Sequence, residues 1–154
     1  MLNVVLYQPE IPPNTGNIIR LCANTGARLH LVGPLGFVLD DARLKRAGLD
    51  YREMADVEQY ASWSTFKKRH GEMRLWAYST RGNTRYDEAQ YREGDGLLFG
   101  PETRGLPGKL LSDMPAGQVL RLPMLRESRS LNLSNTVAIG LYEGLRKLGF
   151  GNLS

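Results

Sequence analysis

The feature that most constrains this chain is a recurrence of short apolar runs separated by helical or polar stretches: LNVVLY (2–7), RLHLV (28–32), LWAYS (75–79), LLF (97–99) and VLRLP (119–123). Runs this short, rich in Val, Leu and aromatic residues, fit strands, and helices placed between them make crossovers that join parallel strands. The expected class is α/β, a mostly parallel sheet flanked by helices. With 154 residues, residues 1–154 are expected to form one domain that buries about 70% of the surface its unfolded chain exposes.

The stretch QPEIPPNTGN (8–17) carries three prolines and a glycine and is expected to be irregular, with Asn14 or Asn17 capping a short helix over 18–24 that Gly26 stops. Asp40 and Asp41 are expected to open a basic helix through ARLKRAGL (42–49), and a further helix is expected over 57–69, with Tyr60, Trp63 and Phe66 turned to the core. Residues 80–96 read as a polar loop with one helical turn, and residues 109–113 as a short helix. The last helix is the clearest. Leu133, Val137, Leu141, Leu145 and Leu148 recur at three- or four-residue steps and form its core stripe. Its Gly140 and Gly144 cost about 1 kcal/mol each in a helix interior, so that face is read as an interface where another backbone comes close.

Several function classes fall away. No apolar run approaches the ~20 residues of a membrane span, and Met1 leads straight into a strand-like run without a basic leader, so a cytoplasmic protein is expected. The single Cys22 and the two histidines, His30 and His70, make a structural zinc site implausible, and no metal is expected. Gly94, Gly96 and Gly100 flank the front of a strand instead of leading out of it into a helix, and no Walker A lysine exists, so neither a dinucleotide fingerprint nor a P-loop is supported. The net charge is +4, and fifteen of the twenty cations are arginine. Guanidinium forks match phosphate, which points to a phosphate-bearing partner, with Arg43, Lys45, Arg46, Lys67 and Lys68 as candidate backbone contacts or simply solvated faces.

What remains is a set of three polar segments: NTGNIIR (14–20), FGPETRGLP (99–107) and LPMLRESRSLNLSN (122–135). Ligands in open α/β sheets sit outside the carboxyl ends of the strands, so segments placed after strands can converge there on one site. Such a site holds Asn14, Arg20, Glu102, Arg104, Ser130 and Asn132. The polar groups between 128 and 135 exceed what capping one helix requires, although Ser130 or Asn132 as an ordinary cap accounts for part of them.

The order of an N-x-x-x-x-x-R motif, an FGPE-x-x-G motif and an S-x-N helix entrance resembles the knotted SPOUT methyltransferases, in their ribose-methylating branch, over essentially the whole chain. The resemblance implies a deep C-terminal trefoil knot, a homodimer, and S-adenosylmethionine held by Tyr78, Gly100, Gly105, Leu122, Ser130 and Leu131. It places Asn14, Arg20, Glu102, Ser130 and Asn132 at the family's catalytic positions. It further implies methylation of the ribose 2'-hydroxyl of wobble nucleotide 34, a cytidine or modified uridine, in a tRNA anticodon stem-loop of the tRNA-Leu type. Within the same resemblance stands methylation at another tRNA or rRNA position, and outside it a basic RNA-binding module without turnover.

Overall fold

The computed structural model describes residues 1–46, 48–50, 52–54 and 56–154, apart from the Asp41 side chain. Seven strands, β1 (Asn3–Tyr7), β2 (Arg28–Val32), β3 (Val57–Tyr60), β4 (Leu75–Tyr78), β5 (Thr84–Arg85), β6 (Gly96–Phe99) and β7 (Val119–Arg121), form one sheet in the order β3-β2-β1-β6-β4-β7-β5. Every pairing is parallel. The helices are α1 (Pro12–Thr25), α2 (Asp41–Arg46), α3 (Trp63–Arg69), α4 (Gly108–Ser112) and α5 (Leu133–Lys147).

Alternation along the strands sorts side chains onto two apolar layers. Val4, Leu6, Leu29, Leu31, Leu97, Phe99 and Leu120 pack with Ile18, Ile19 and Cys22 of α1 and with Leu133, Val137, Leu141 and Leu145 of α5. Val5, Val32, Tyr60, Ala77 and Leu98 pack with Phe66 of α3 and with Leu110 and Leu111 of α4 on the other face. The α5 stripe is thus core along most of its length, with Leu148 packed at the margin.

Four expectations are corrected. Helix α1 starts at Pro12, not near Asn17, with Pro12 and Pro13 in its first turn; the first N–H groups of a helix have no intrahelical partner, so prolines there cost no hydrogen bond. Its end at Gly26, in the left-handed conformation with φ +76, is as expected. The span 57–69 is not one helix: Val57–Tyr60 pairs with β2, and α3 begins only after Ser62, whose hydroxyl accepts from the Thr65 N–H at 3.2 Å. The 80–96 loop contains β5 as well as the single 3-10 turn Tyr86–Glu88. The expected basic helix is Asp41–Arg46; Ala47 within that expectation lies outside the described residues.

The fourth correction concerns the glycines of α5. A Cβ on Gly140 would lie 2.8 Å from the ring of the chain's own Tyr78, and one on Gly144 would lie 2.8 Å from Leu2 Cδ1. That face is buried inside the chain and is not an intersubunit surface. The exposed side of α5 carries Ile139 and Tyr142 instead.

β7 lies between β4 and β5, so residues 79–83 must cross over it to join those two strands. The crossing is tight at Gly82, where a Cβ would sit 2.5 Å from the Leu120 carbonyl carbon and oxygen. Among the described residues no helix is long and apolar enough to cross a membrane.

Candidate active site

β6, β4 and β7 are neighbours in the sheet, and the segments leaving their carboxyl ends enclose a cavity of about 310 Å³. Its apolar lining includes the stacked rings of Tyr78 and Phe99, 4.7 Å apart, with Leu106, Leu122 and Met124. The Tyr91 hydroxyl donates to the Tyr86 carbonyl at 2.8 Å, which commits its proton, so the 2.6 Å bond between the two phenols is donated by Tyr78. Burial away from water pushes the Tyr78 phenol well above its usual range and keeps that donor protonated. All six residues expected to hold a cofactor, Tyr78, Gly100, Gly105, Leu122, Ser130 and Leu131, line this cavity.

The loop after β6 folds back on itself. Its Gly105 N–H donates to the Pro101 carbonyl at 2.9 Å, and a Cβ on Gly100 would lie 2.3 Å from the Leu106 nitrogen. The glycine at 100 is therefore required by the loop's own backbone, while Gly105 supplies a left-handed residue at φ +69.

Three of the expected catalytic residues meet. Asn132 Nδ2 donates to Asn14 Oδ1 at 3.1 Å, and Asn14 Nδ2 donates to Glu102 Oε2 at 3.3 Å, so side chains from α1, the β6 loop and the entrance of α5 form one chain of hydrogen bonds. Glu102 and Asn132 also anchor backbone. Glu102 accepts the Glu10 and Ile11 N–H groups, both at 2.8 Å, at the start of α1, where Ile11 offers no side-chain cap. Asn132 Oδ1 caps α5, accepting from the Ser134 and Asn135 N–H groups at 2.9 and 3.3 Å. Both cap-like residues are therefore tied to a helix entrance as well as to the site.

Arg20 stands apart. Six residues beyond Asn14, it projects about 120° away around α1, and its guanidinium donates to Glu53 at 3.1 Å and to the Gly48 carbonyl. It does not line the cavity. The two basic runs are also separated: Arg43 and Arg46 border a second hollow of about 550 Å³ between α1 and α2, whereas Lys67 lies over the Trp63 ring on α3, across the sheet.

His30, Glu58 and His70 converge, yet their centre is occupied by the Tyr60 hydroxyl, 2.8 Å from His30 Nδ1 and 2.9 Å from both Glu58 Oε2 and His70 Nε2. These are hydrogen-bond distances. The group is a hydrogen-bonded network around a buried tyrosine.

Two contributions to the cavity were not visible in the sequence. Ser79, Thr80 and Arg81 enter because β4 lies between β6 and β7, which a polar turn cannot announce on its own. Phe99 belongs to the segment 99–107, but its stacking on Tyr78 follows only from the pairing of β4 with β6. Arg81, Arg104 and Arg129 together place three guanidinium-bearing chains along the lining.

Comparison with known proteins agrees with this geometry. Residues 1–142 match the SpoU rRNA Methylase family. A tRNA (cytidine(34)-2'-O)-methyltransferase of Saccharophagus degradans is 58% identical over 150 residues, covering 97% of each chain. A solved structure described as giving insight into 2-OH methylation of C/U34 on tRNA is 47% identical, with TM-score 0.88 over 97% of both chains. An AdoMet-bound rRNA methyltransferase of Sinorhizobium meliloti is 28% identical, with TM-score 0.81 over 99% of this chain and 57% of its own. A parallel sheet with its cavity at the ends of three adjacent strands, matched along nearly its whole length, leaves one assignment: the chain belongs to the SpoU rRNA methylase family.

Proposed function

We propose that this protein transfers a methyl group from S-adenosylmethionine to the ribose 2'-hydroxyl of nucleotide 34, a cytidine or modified uridine, in the anticodon loop of tRNA. The observation that carries the reading is the cavity at the ends of β6, β4 and β7, in a chain 58% identical to a tRNA (cytidine(34)-2'-O)-methyltransferase. Its residues fit the cofactor. A volume of about 310 Å³ lies within the ~300–1,000 Å³ of small-molecule sites. The rings of Tyr78 and Phe99 and the side chains of Leu106, Leu122 and Met124 offer an apolar wall, while Gly100, Gly105 and Leu131 offer main-chain groups.

The bound cofactor supplies an electrophilic methyl group on a sulfonium centre. The ribose oxygen would gain that methyl, leaving S-adenosylhomocysteine, and the hydroxyl proton would pass to solvent or a base. A ribose hydroxyl is a weak nucleophile, so a group that stabilises developing negative charge on its oxygen accelerates the step. Arginine remains protonated, which suits Arg20 to positioning the hydroxyl and stabilising alkoxide, not to accepting the proton. Asn14, Glu102 and Asn132 hold α1 and α5 against the cavity loop, and Ser130 lines the cavity where the ribose is bound.

Because Arg20 lies away from its own cavity, the reading places it in the partner subunit's site within a homodimer. The exposed Ile139 and Tyr142 of α5 are the apolar residues assigned to that contact. Residues 1–154 act as one methyltransferase domain with a trefoil knot, formed where residues 79–83 cross over β7 and the following chain passes on into α5. Arg43, Lys45 and Arg46 grip anticodon phosphates, and the tRNA substrate places the enzyme in the cytoplasm.

The test is mass-spectrometric mapping of methylated nucleosides after incubation with S-adenosylmethionine and total tRNA from a strain lacking the enzyme. A 2'-O-methyl group at nucleotide 34, lost in Arg20→Ala, is expected. Methylation at another position overturns the substrate, and no transfer to tRNA overturns the reading.

A further inference from the structure

The cavity loop after β6 closes on itself, and its hydrogen bonds to the rest of the described chain leave through residues 102–104 alone. What those residues grip is the segment joining β1 to α1. The exchange is reciprocal. Glu102 accepts the Glu10 and Ile11 N–H groups, and Glu10 Oε1 accepts the Thr103 N–H at 3.0 Å and the Thr103 hydroxyl at 2.7 Å. Each carboxylate thus holds the backbone of the other's segment. A third tie, Arg104 Nη2 to Gln8 Oε1 at 3.3 Å, runs alongside.

The β1–α1 segment is itself held firmly enough to serve as an anchor. Gln8, a residue with a side chain, sits at φ +48, and its N–H donates to the Val32 carbonyl at 2.7 Å. Such a conformation persists in a non-glycine residue only where surrounding contacts impose it. The Gly36 N–H donates to the Pro9 carbonyl at 3.1 Å, and a Cβ on Gly36 would lie 3.1 Å from Glu10 Cα, so the loop after β2 braces the same residues. The Thr103 N–H, then its hydroxyl, together with nearby Arg104, keep the Glu10 carboxyl below the usual carboxylate range, so it is an ionised acceptor at neutral pH.

We infer that Glu10 is a positioning residue for cofactor binding: through Thr103 it fixes the loop of residues 100–106, one wall of the cavity, against the braced β1–α1 segment. The inference rests on the proposed methyltransferase reading only for the identity of the ligand. Glu10 is not among the cavity-lining residues and acts through the loop. A pre-formed wall lowers the ordering cost of ligand binding, so its release appears as weaker binding.

The experiment pairs two measurements on full-length Glu10→Ala and Glu10→Gln. Amide hydrogen exchange without ligand reads the loop directly. Glu10→Ala is expected to speed exchange of the Thr103 amide by about tenfold, the usual scale for losing one hydrogen bond to a charged group, with the β6 amides of Leu97 to Phe99 unchanged. Calorimetric titration with S-adenosylmethionine is expected to show a dissociation constant raised about tenfold. Glu10→Gln keeps a carbonyl oxygen for Thr103 and is expected to recover most of both effects. Unchanged Thr103 exchange in Glu10→Ala overturns the inference, as does faster exchange spread equally over β6, which marks general destabilisation. If the wild-type protein fails to bind S-adenosylmethionine, the methyltransferase reading falls, while the exchange result still decides whether Glu10 positions the loop.

Discussion

Replacing Gly140 by alanine separates the packing seen here from an intersubunit role for the same helix face. Alanine favours the helix by about 1 kcal/mol over glycine. Against that, the new methyl would meet Tyr78 Cζ and Oη at 2.8 Å, and Tyr78 has little room: its ring stacks on Phe99 at 4.7 Å and its hydroxyl is bonded to Tyr91 at 2.6 Å. Overpacking a filled core costs about 1–3 kcal/mol, and swinging the ring away adds about 1 kcal/mol for the hydrogen bond. The balance is a loss of about 1–3 kcal/mol. Gly144→Ala is the internal control, because its methyl would crowd the flexible tip of Leu2 at 2.8 Å and meet the Tyr91 ring only at ordinary contact distance, 3.7 Å; the helix gain then roughly offsets the repacking, and a change within about 1 kcal/mol is expected. Urea unfolding of both variants, with S-adenosylmethionine titration, is the assay. Gly140→Ala is expected to be the less stable of the two and to bind the cofactor more weakly, since Tyr78 lines the cavity. A Gly140→Ala protein as stable as wild type, or two variants that alter only the monomer–dimer equilibrium, would refute the packing argument.

Other substitutions probe other links. Gly82→Ala puts a methyl 2.5 Å from the Leu120 backbone, which has no side chain to move aside, so soluble yield or unfolding midpoint should fall far more than in Gly94→Ala, whose position has nothing within 4 Å despite its unfavourable φ. Glu102→Ala removes the acceptor for the Glu10 and Ile11 N–H groups; a loss of about 0.5–2 kcal/mol, as for other helix caps, is expected in urea unfolding, and an unchanged midpoint would deny the cap. Burial, then positive His70 and the Arg28 and Arg69 guanidinium groups, outweigh Glu58 and push the His30 imidazole down to about 4. Its folded value is thus below the ~6.5 of the unfolded chain, so the unfolded state takes up a proton first, and stability is expected to fall as pH drops from about 6.5 towards 4, by at most about 1.4 kcal/mol per unit. NMR titration of the His30 ring checks this; a midpoint near 6.5 would refute it.

Strands that read as strands did so because they are buried on both faces and need apolar residues at every position, as in Leu75–Tyr78 and Gly96–Phe99. β3 escaped detection for the complementary reason. It lies at the sheet edge, and VEQY, with two polar residues and Trp63 and Phe66 following at helical spacing, blends into the next helix. The start of α1 was hidden by Pro12 and Pro13, which mark irregular chain everywhere except a helix's first turn.

The amino-acid sequence by itself determined the α/β class, the α5 core stripe, the end of α1 at Gly26 and two of the segments from which the cavity is drawn, 99–107 and 122–135, because each follows from local periodicity or from a conformation only certain residues tolerate. Tertiary structure alone decided that β4 stands between β6 and β7 and brings Ser79 to Arg81 to the cavity, that Gly140 accommodates Tyr78, and that Glu10 and Glu102 hold each other's segments. These contacts join residues 62, 92 and 93 positions apart or depend on strand order. No local pattern specifies such pairings, since they arise only when the whole sheet buries both its faces and the chain crosses itself at Gly82.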